Sequence, residues 1–155
     1  MIGILFSLIL TSSSQDVWGY REVIDPITDA KRGIASIDGV GGAVLVFKCD
    51  STGGSPYLHL ISSEYLGGDG IRSEMRTLTY RVDQNPPVRQ QWRHRDSDAV
   101  LSNQRDLLSI LKEMLEGDRI HIRASRYDNR SVDMSFALDG AREAMTKVHE
   151  ACTRR

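Results

Sequence analysis

At 155 residues, 40% of them hydrophobic and 26% charged, the chain has the size and composition of one globular domain able to bury its own core. Its 20 basic and 21 acidic residues leave a net charge of -1, with no long run of either sign. That balance argues against nucleic acid or an anionic membrane as the partner.

Residues 1–15 carry no charged side chain, and an apolar run over 2–10 is followed by Thr11-Ser-Ser-Ser14. The pattern matches the apolar region and small-residue cleavage site of a secretory signal, so 1–14 are expected to be a signal peptide and 15–155 a single exported β-rich domain. No Lys or Arg precedes the run. The competing reading is a buried first strand or helix of a cytosolic domain. A membrane-spanning helix is excluded, because the run has roughly half of the ~20 apolar residues a bilayer requires.

Trp18 and Tyr20 are expected to cover one edge of the core, and Asp25-Pro26 to start a turn. Residues 33–37 read as a short strand and Asp38-Gly39 as a turn. Residues 43–49, Ala-Val-Leu-Val-Phe-Lys-Cys, lie between two Gly-rich clusters and are nearly all apolar with high β propensity. They predict a central strand buried on both faces. Residues 56–61 alternate, with Leu58 and Leu60 on one face and Tyr57 and His59 on the other, and should pair with that strand. The loop over 67–70 has Asp69 but lacks the further acidic ligands of a calcium site.

Residues 75–83 form the clearest half-buried strand pattern, with Leu78, Tyr80 and Val82 inward and Thr77, Thr79, Arg81 and Asp83 outward. The pattern stops at Pro86-Pro87, and 88–92 read as the returning strand of a hairpin, with Trp92 near the end of the sheet. Residues 93–98 read as a polar loop. A helix is expected over 103–116, with Ser102 as N-cap, Gly117 as its stop, and Leu107, Leu108, Ile110, Leu111, Met114 and Leu115 on its apolar face. Residues 119–125 alternate strictly, with Ile120, Ile122 and Ala124 inward and Arg119, His121 and Arg123 outward. Residues 127–130 make a hairpin turn, and Val132, Met134, Phe136 and Leu138 repeat the alternation. Asp139 caps a final helix from 141 to about 153, on which Ala141, Ala144, Met145, Val148 and Cys152 form a stripe. The expected fold is mainly β, of the α+β kind: an antiparallel, sandwich-like sheet of about seven strands, with one mid-chain helix and a C-terminal helix packed on it.

Cys49 and Cys152 are the two cysteines of the chain. One ends the central strand, and the other lies on the helical stripe that must face the sheet, so a structural disulfide between them is expected, in keeping with an oxidising compartment. Metal binding is the poorer alternative, since there is no CxxC and the four histidines, at 59, 94, 121 and 149, have no ligand spacing.

GxSxG, HExxH, a P-loop and a GxGxxG after a strand are all missing, so no standard nucleophile, metal or phosphate site is announced and no cofactor is expected. Asp96 with Asp98, or Asp128 with Asp133, offer carboxylate pairs, but exposed loop acids are the default. The distinctive polar set is Arg81 and Asp83 with the outward ladder Arg119, His121 and Arg123. If their strands are neighbours, these residues make a charged, candidate partner-binding face or a solvated one. Arg76, Arg81, Arg89, Arg93 and Arg95 enrich this middle region in Arg, a residue suited to interfaces.

Several landmarks occur in order: Trp18, a strand ending in Lys48-Cys49, Tyr80-Arg-Val-Asp83 before a Pro-containing turn, Trp92, a Leu-rich helix, Phe136-Ala-Leu-Asp-Gly140, and Ala151-Cys152. In this the chain resembles the TagO/VasI-like family of type VI secretion accessory proteins, and is more distantly similar to the invasion-associated locus B family. The resemblance implies a non-enzymatic periplasmic or secreted protein, assisting assembly or function of the secretion apparatus through a protein partner in the cell envelope. The alternative is a secreted binding module or inhibitor that caps an enzyme with the Arg/His/Asp face.

Overall fold

The computed structural model describes residues 16–50, 53–68 and 72–153, so the expected signal peptide lies outside the described residues. Nine strands are seen among them: β1 (Gly19–Ile24), β2 (Lys31–Asp38), β3 (Val44–Lys48), β4 (Tyr57–Ile61), β5 (Glu74–Val82), β6 (Val88–Arg95), β7 (Asp98–Leu101), β8 (Arg119–Ser125) and β9 (Ser131–Ala137). Helix α1 (Gln104–Met114) joins β7 to β8, and α2 (Ala141–Thr153) follows β9. All the strands belong to one antiparallel sheet in the order β1-β2-β3-β4-β7-β6-β5-β8-β9. The mainly β architecture with two helices is therefore the one the alternation patterns indicate, with two strands more than the seven expected.

The sheet curls until its ends meet. The Val40 N–H, in the β2–β3 turn, donates to the Ser135 carbonyl of β9 at 3.1 Å. Trp18, just before β1, donates its backbone N–H to Asp139 (2.9 Å) and its indole Nε1–H to Ala137 (3.0 Å). Trp18 is thus more than a cover for one edge: it is a buried clasp between the two ends of the sheet.

Inside the curl lie Leu45 and Phe47 of β3, Leu58 and Leu60 of β4, Leu78 and Tyr80 of β5, and Trp92 of β6, with Leu107, Ile110 and Met114 of α1 and Ala144, Met145 and Val148 of α2. Helix α2 packs on β2 at Gly33, where an added Cβ would sit 2.9 Å from the Val148 Cα. Residues Cys49 and Cys152 form a disulfide with Cα atoms 6.1 Å apart, tying the end of β3 to the last turn of α2. Strand β3 is interior but third from one edge, and Val46 on its outer face is also buried.

Several local readings are corrected. Residues 93–98 are no polar loop: β6 runs on to Arg95, and Asp96, at φ 53°, turns the chain directly into β7. The inward positions of β6 include Gln90 and His94, both buried, and these polar residues hide the strand alternation. Trp92 accordingly lies fully buried in a mid-sheet strand rather than at the end of the sheet. The cap of α1 is Asn103, whose side chain accepts the Asp106 N–H at 3.1 Å, and not Ser102. Leu108 of α1 points to solvent at 67% exposure. The Gly140 carbonyl accepts the first i to i+4 bond of α2, so the cap position falls on Gly140 instead of Asp139. Strand β1 has no clean alternation, because it is an edge strand with only Tyr20 and Val23 partly covered.

A charged groove on the outer face of the sheet

Side chains opposite the helices are sorted by register. Strands β5 and β8 are neighbours, pairing Arg81 with His121 and Thr79 with Arg123, while β8 pairs His121 with Ser135 and Arg123 with Asp133 of β9. Directly paired residues point to the same side of a sheet. Two cross-strand rows result, Arg81–His121–Ser135 and Thr79–Arg123–Asp133. They line a groove of about 610 Å³, walled by Val40 at one side and by Gln84 and Pro87 of the β5–β6 turn at the other. The sequence-level candidates Arg81, Asp83, His121 and Arg123 all line it, whereas Arg119 is exposed outside it.

The four lining candidates play different parts. Arg123 and Asp133 form a two-pronged ion pair, Nε to Oδ1 at 2.6 Å and Nη2 to Oδ2 at 2.8 Å. The hydrogen bond from Arg123 holds the Asp133 carboxyl below its usual range, against the opposing effect of burial. Arg81 has no carboxylate partner among the described residues. Its Nε–H donates to the Asn85 carbonyl at 2.9 Å and its Nη2 reaches the backbone and side-chain oxygens of Gln84, so neutral acceptors fix its guanidinium. Asp83, at φ 48°, turns its carboxylate onto the backbone N–H groups of Asp118 and Arg119 (3.0 and 2.9 Å) and joins the end of β5 to the start of β8. Its role is structural. Alternation alone puts Thr79, Ser135 and Asp133 on this face, but the groove's wall at Val40 exists only because the sheet curls.

The carboxylate pairs take structural parts. Asp98 lies 2.8 Å from His59 Nε2 on the adjacent strand, and the Asp96 carbonyl accepts the Leu66 and Gly67 N–H groups. Burial would raise the Asp128 carboxyl, but the hydrogen bonds and charge of Arg130 and the charge of Arg126 outweigh it and hold it low. Among the described residues no group of His, Cys, Asp and Glu could hold a metal ion. A second cavity of about 410 Å³ lies between α1 and the β5–β6 turn, where Glu113 accepts from the Tyr80 hydroxyl (3.2 Å) and the Asn85 amide (3.0 Å). Burial first, then the Glu113 charge, pushes the Tyr80 phenol up to about 12, with a Ser109 hydrogen bond opposing.

His94 is the buried histidine. It is completely enclosed, and among the described residues neither ring nitrogen has a hydrogen-bond partner of normal geometry. Burial, then the neighbouring Arg76 charge, lowers its pKa to about 4, with the Leu66 backbone and Glu74 opposing weakly.

No helix among the described residues is long and apolar enough to cross a membrane. No family model, curated protein or solved structure matches the chain.

Proposed function

We propose that this chain is a non-enzymatic accessory protein of the cell envelope, which works in the periplasm by holding a protein partner against the groove over β5, β8 and β9. The observation that carries this reading is the gathering of Arg81, His121 and Arg123 on one outer face, walled into a groove. Arg presents a planar fork of donors suited to interfaces. The Cys49–Cys152 disulfide supports the address, since such bonds persist in oxidising compartments. The ordered landmarks from Trp18 to Cys152 support type VI secretion as the process served. Most of them are core or disulfide residues, so they bear on the scaffold, and the partner is inferred from the groove.

The test is photo-crosslinking from position 79 in intact cells, followed by pull-down. Secretion components of the envelope among the adducts are the expected result. A soluble enzyme captured in their place would move the assignment to a secreted inhibitor, and adducts that persist equally from a probe on β1 would remove the groove from the account.

A further inference from the structure

The basic face extends past the groove. Thr79 pairs directly with Arg123 on one side and with Arg89 of β6 on the other. Arg81 follows two residues along the same strand, so three arginine positions neighbour one threonine. Paired neighbours stand roughly 5 Å apart and i, i+2 neighbours roughly 7 Å. Only Arg123 of the three has a carboxylate partner. Among the described residues the Arg89 side chain has neither an ion pair nor a hydrogen bond, and the partners of Arg81 are uncharged. Arg93 stands four residues further along β6, about 13 Å away, also outward and exposed. The outward positions of β5, β6, β8 and β9 thus include Arg81, Arg89, Arg93, Arg119 and Arg123 against a single carboxylate, Asp133, in a chain whose net charge is -1. Like charges side by side on a sheet destabilise it. Arg123 and Arg81 each serve the fold through their own partners, and an anion over Thr79 would offset the repulsion among the three cations.

We propose that Arg81 and Arg89, flanking Thr79, form an oxyanion centre that receives carboxylates from an extended acidic segment of a partner protein. This rests on the binding reading above and names its chemistry. Bidentate donors favour carboxylate, and the hydroxyl of Thr79 lies between the two arginine positions, while Thr77 and Gln91 are bonded to each other at 2.7 Å. A bilayer is the poorer occupant, because the large exposed apolar groups nearby, Val40 and Met75, make no continuous apolar face to insert.

The test is calorimetric titration of the intact chain with a ten-residue Asp/Glu-rich peptide, its Asn/Gln counterpart, and vesicles containing phosphatidylglycerol. The acidic peptide alone should bind, and Arg81→Gln or Arg89→Gln should each weaken it about ten- to hundredfold while melting normally. Arg21→Gln on β1 should change nothing. Equal binding of both peptides, binding to vesicles alone, or undiminished affinity in the Arg89→Gln chain overturns the proposal. The two readings fail separately: an Arg89→Gln chain that still captures its envelope partner removes the oxyanion centre and leaves the accessory role. Acidic-peptide binding without any envelope partner does the reverse.

Discussion

His94 couples the stability of this fold to pH. Its imidazole is enclosed without a hydrogen bond, with the Arg76 charge nearby, and its pKa falls from 6.5 to about 4. In the unfolded chain it takes up a proton near pH 6.5, and in the fold it stays neutral until about pH 4. Unfolding therefore takes up a proton across that window, and stability falls as the pH is lowered through it. A displacement of this size corresponds to roughly 3 kcal/mol, all of it present above pH 6.5 and lost by about pH 4. The measurement is urea unfolding at several pH values between 7.5 and 4, on the native chain and on His94→Met. The variant should match or exceed the native chain at pH 7.5, because two unpaired buried nitrogens are gone, and its stability should fall by about 3 kcal/mol less on acidification. Carboxylates held low by their partners, such as Asp133, act below this window and are common to both chains. Equal acid sensitivity in the two chains would refute the reasoning.

The disulfide and the helix seat give two further predictions. Replacing Cys49 and Cys152 together by Ser should lower stability by about 4 to 5 kcal/mol, from a sequence separation of 103. The shift in urea midpoint measures it, and a loss under ~1 kcal/mol would show that the bond constrains little. Gly33→Ala should lower stability by roughly 1–3 kcal/mol, because the new methyl meets the backbone of α2 at Val148. An unchanged melting temperature would mean that α2 is free to shift.

Strands β5, β8 and β9 were legible because one face of each meets the core and the other meets water, which imposes a period of two on the residue types. The same rule hid the end of β6 beyond Trp92 and the whole of β7. Gln90 and His94 occupy inward positions on β6, and Gln90 is satisfied by its fold, its amide donating to the Asp106 carbonyl of α1 while its oxygen accepts the Trp92 indole N–H. The disulfide was legible because a helical stripe and a strand end each carried one cysteine. The candidate face was readable as outward positions on two strands, but not as a groove. Its floor depends on β5 and β8 being neighbours despite the 36 residues from Asp83 to Arg119, and its wall on the Val40–Ser135 contact. Arg89 was legible only as one of an Arg-rich stretch, because the pairing that sets it beside Thr79 is a matter of register, which propensity does not encode.

The Cys49–Cys152 bond also divides the molecule into a ring and a tail. Strands β4 to β9 and both helices lie within the covalent loop, while β1, β2 and β3 precede it and are held by pairing, packing and the Trp18 clasp. The ring cannot close until α2 has been synthesised, so Cys49 must wait as a free thiol while about a hundred later residues emerge. With no third cysteine in the chain, the wrong bond open to it during that wait is one to another molecule. The bond therefore forms only after residue 152 has been made, and a single cut anywhere in the ring would leave both pieces joined.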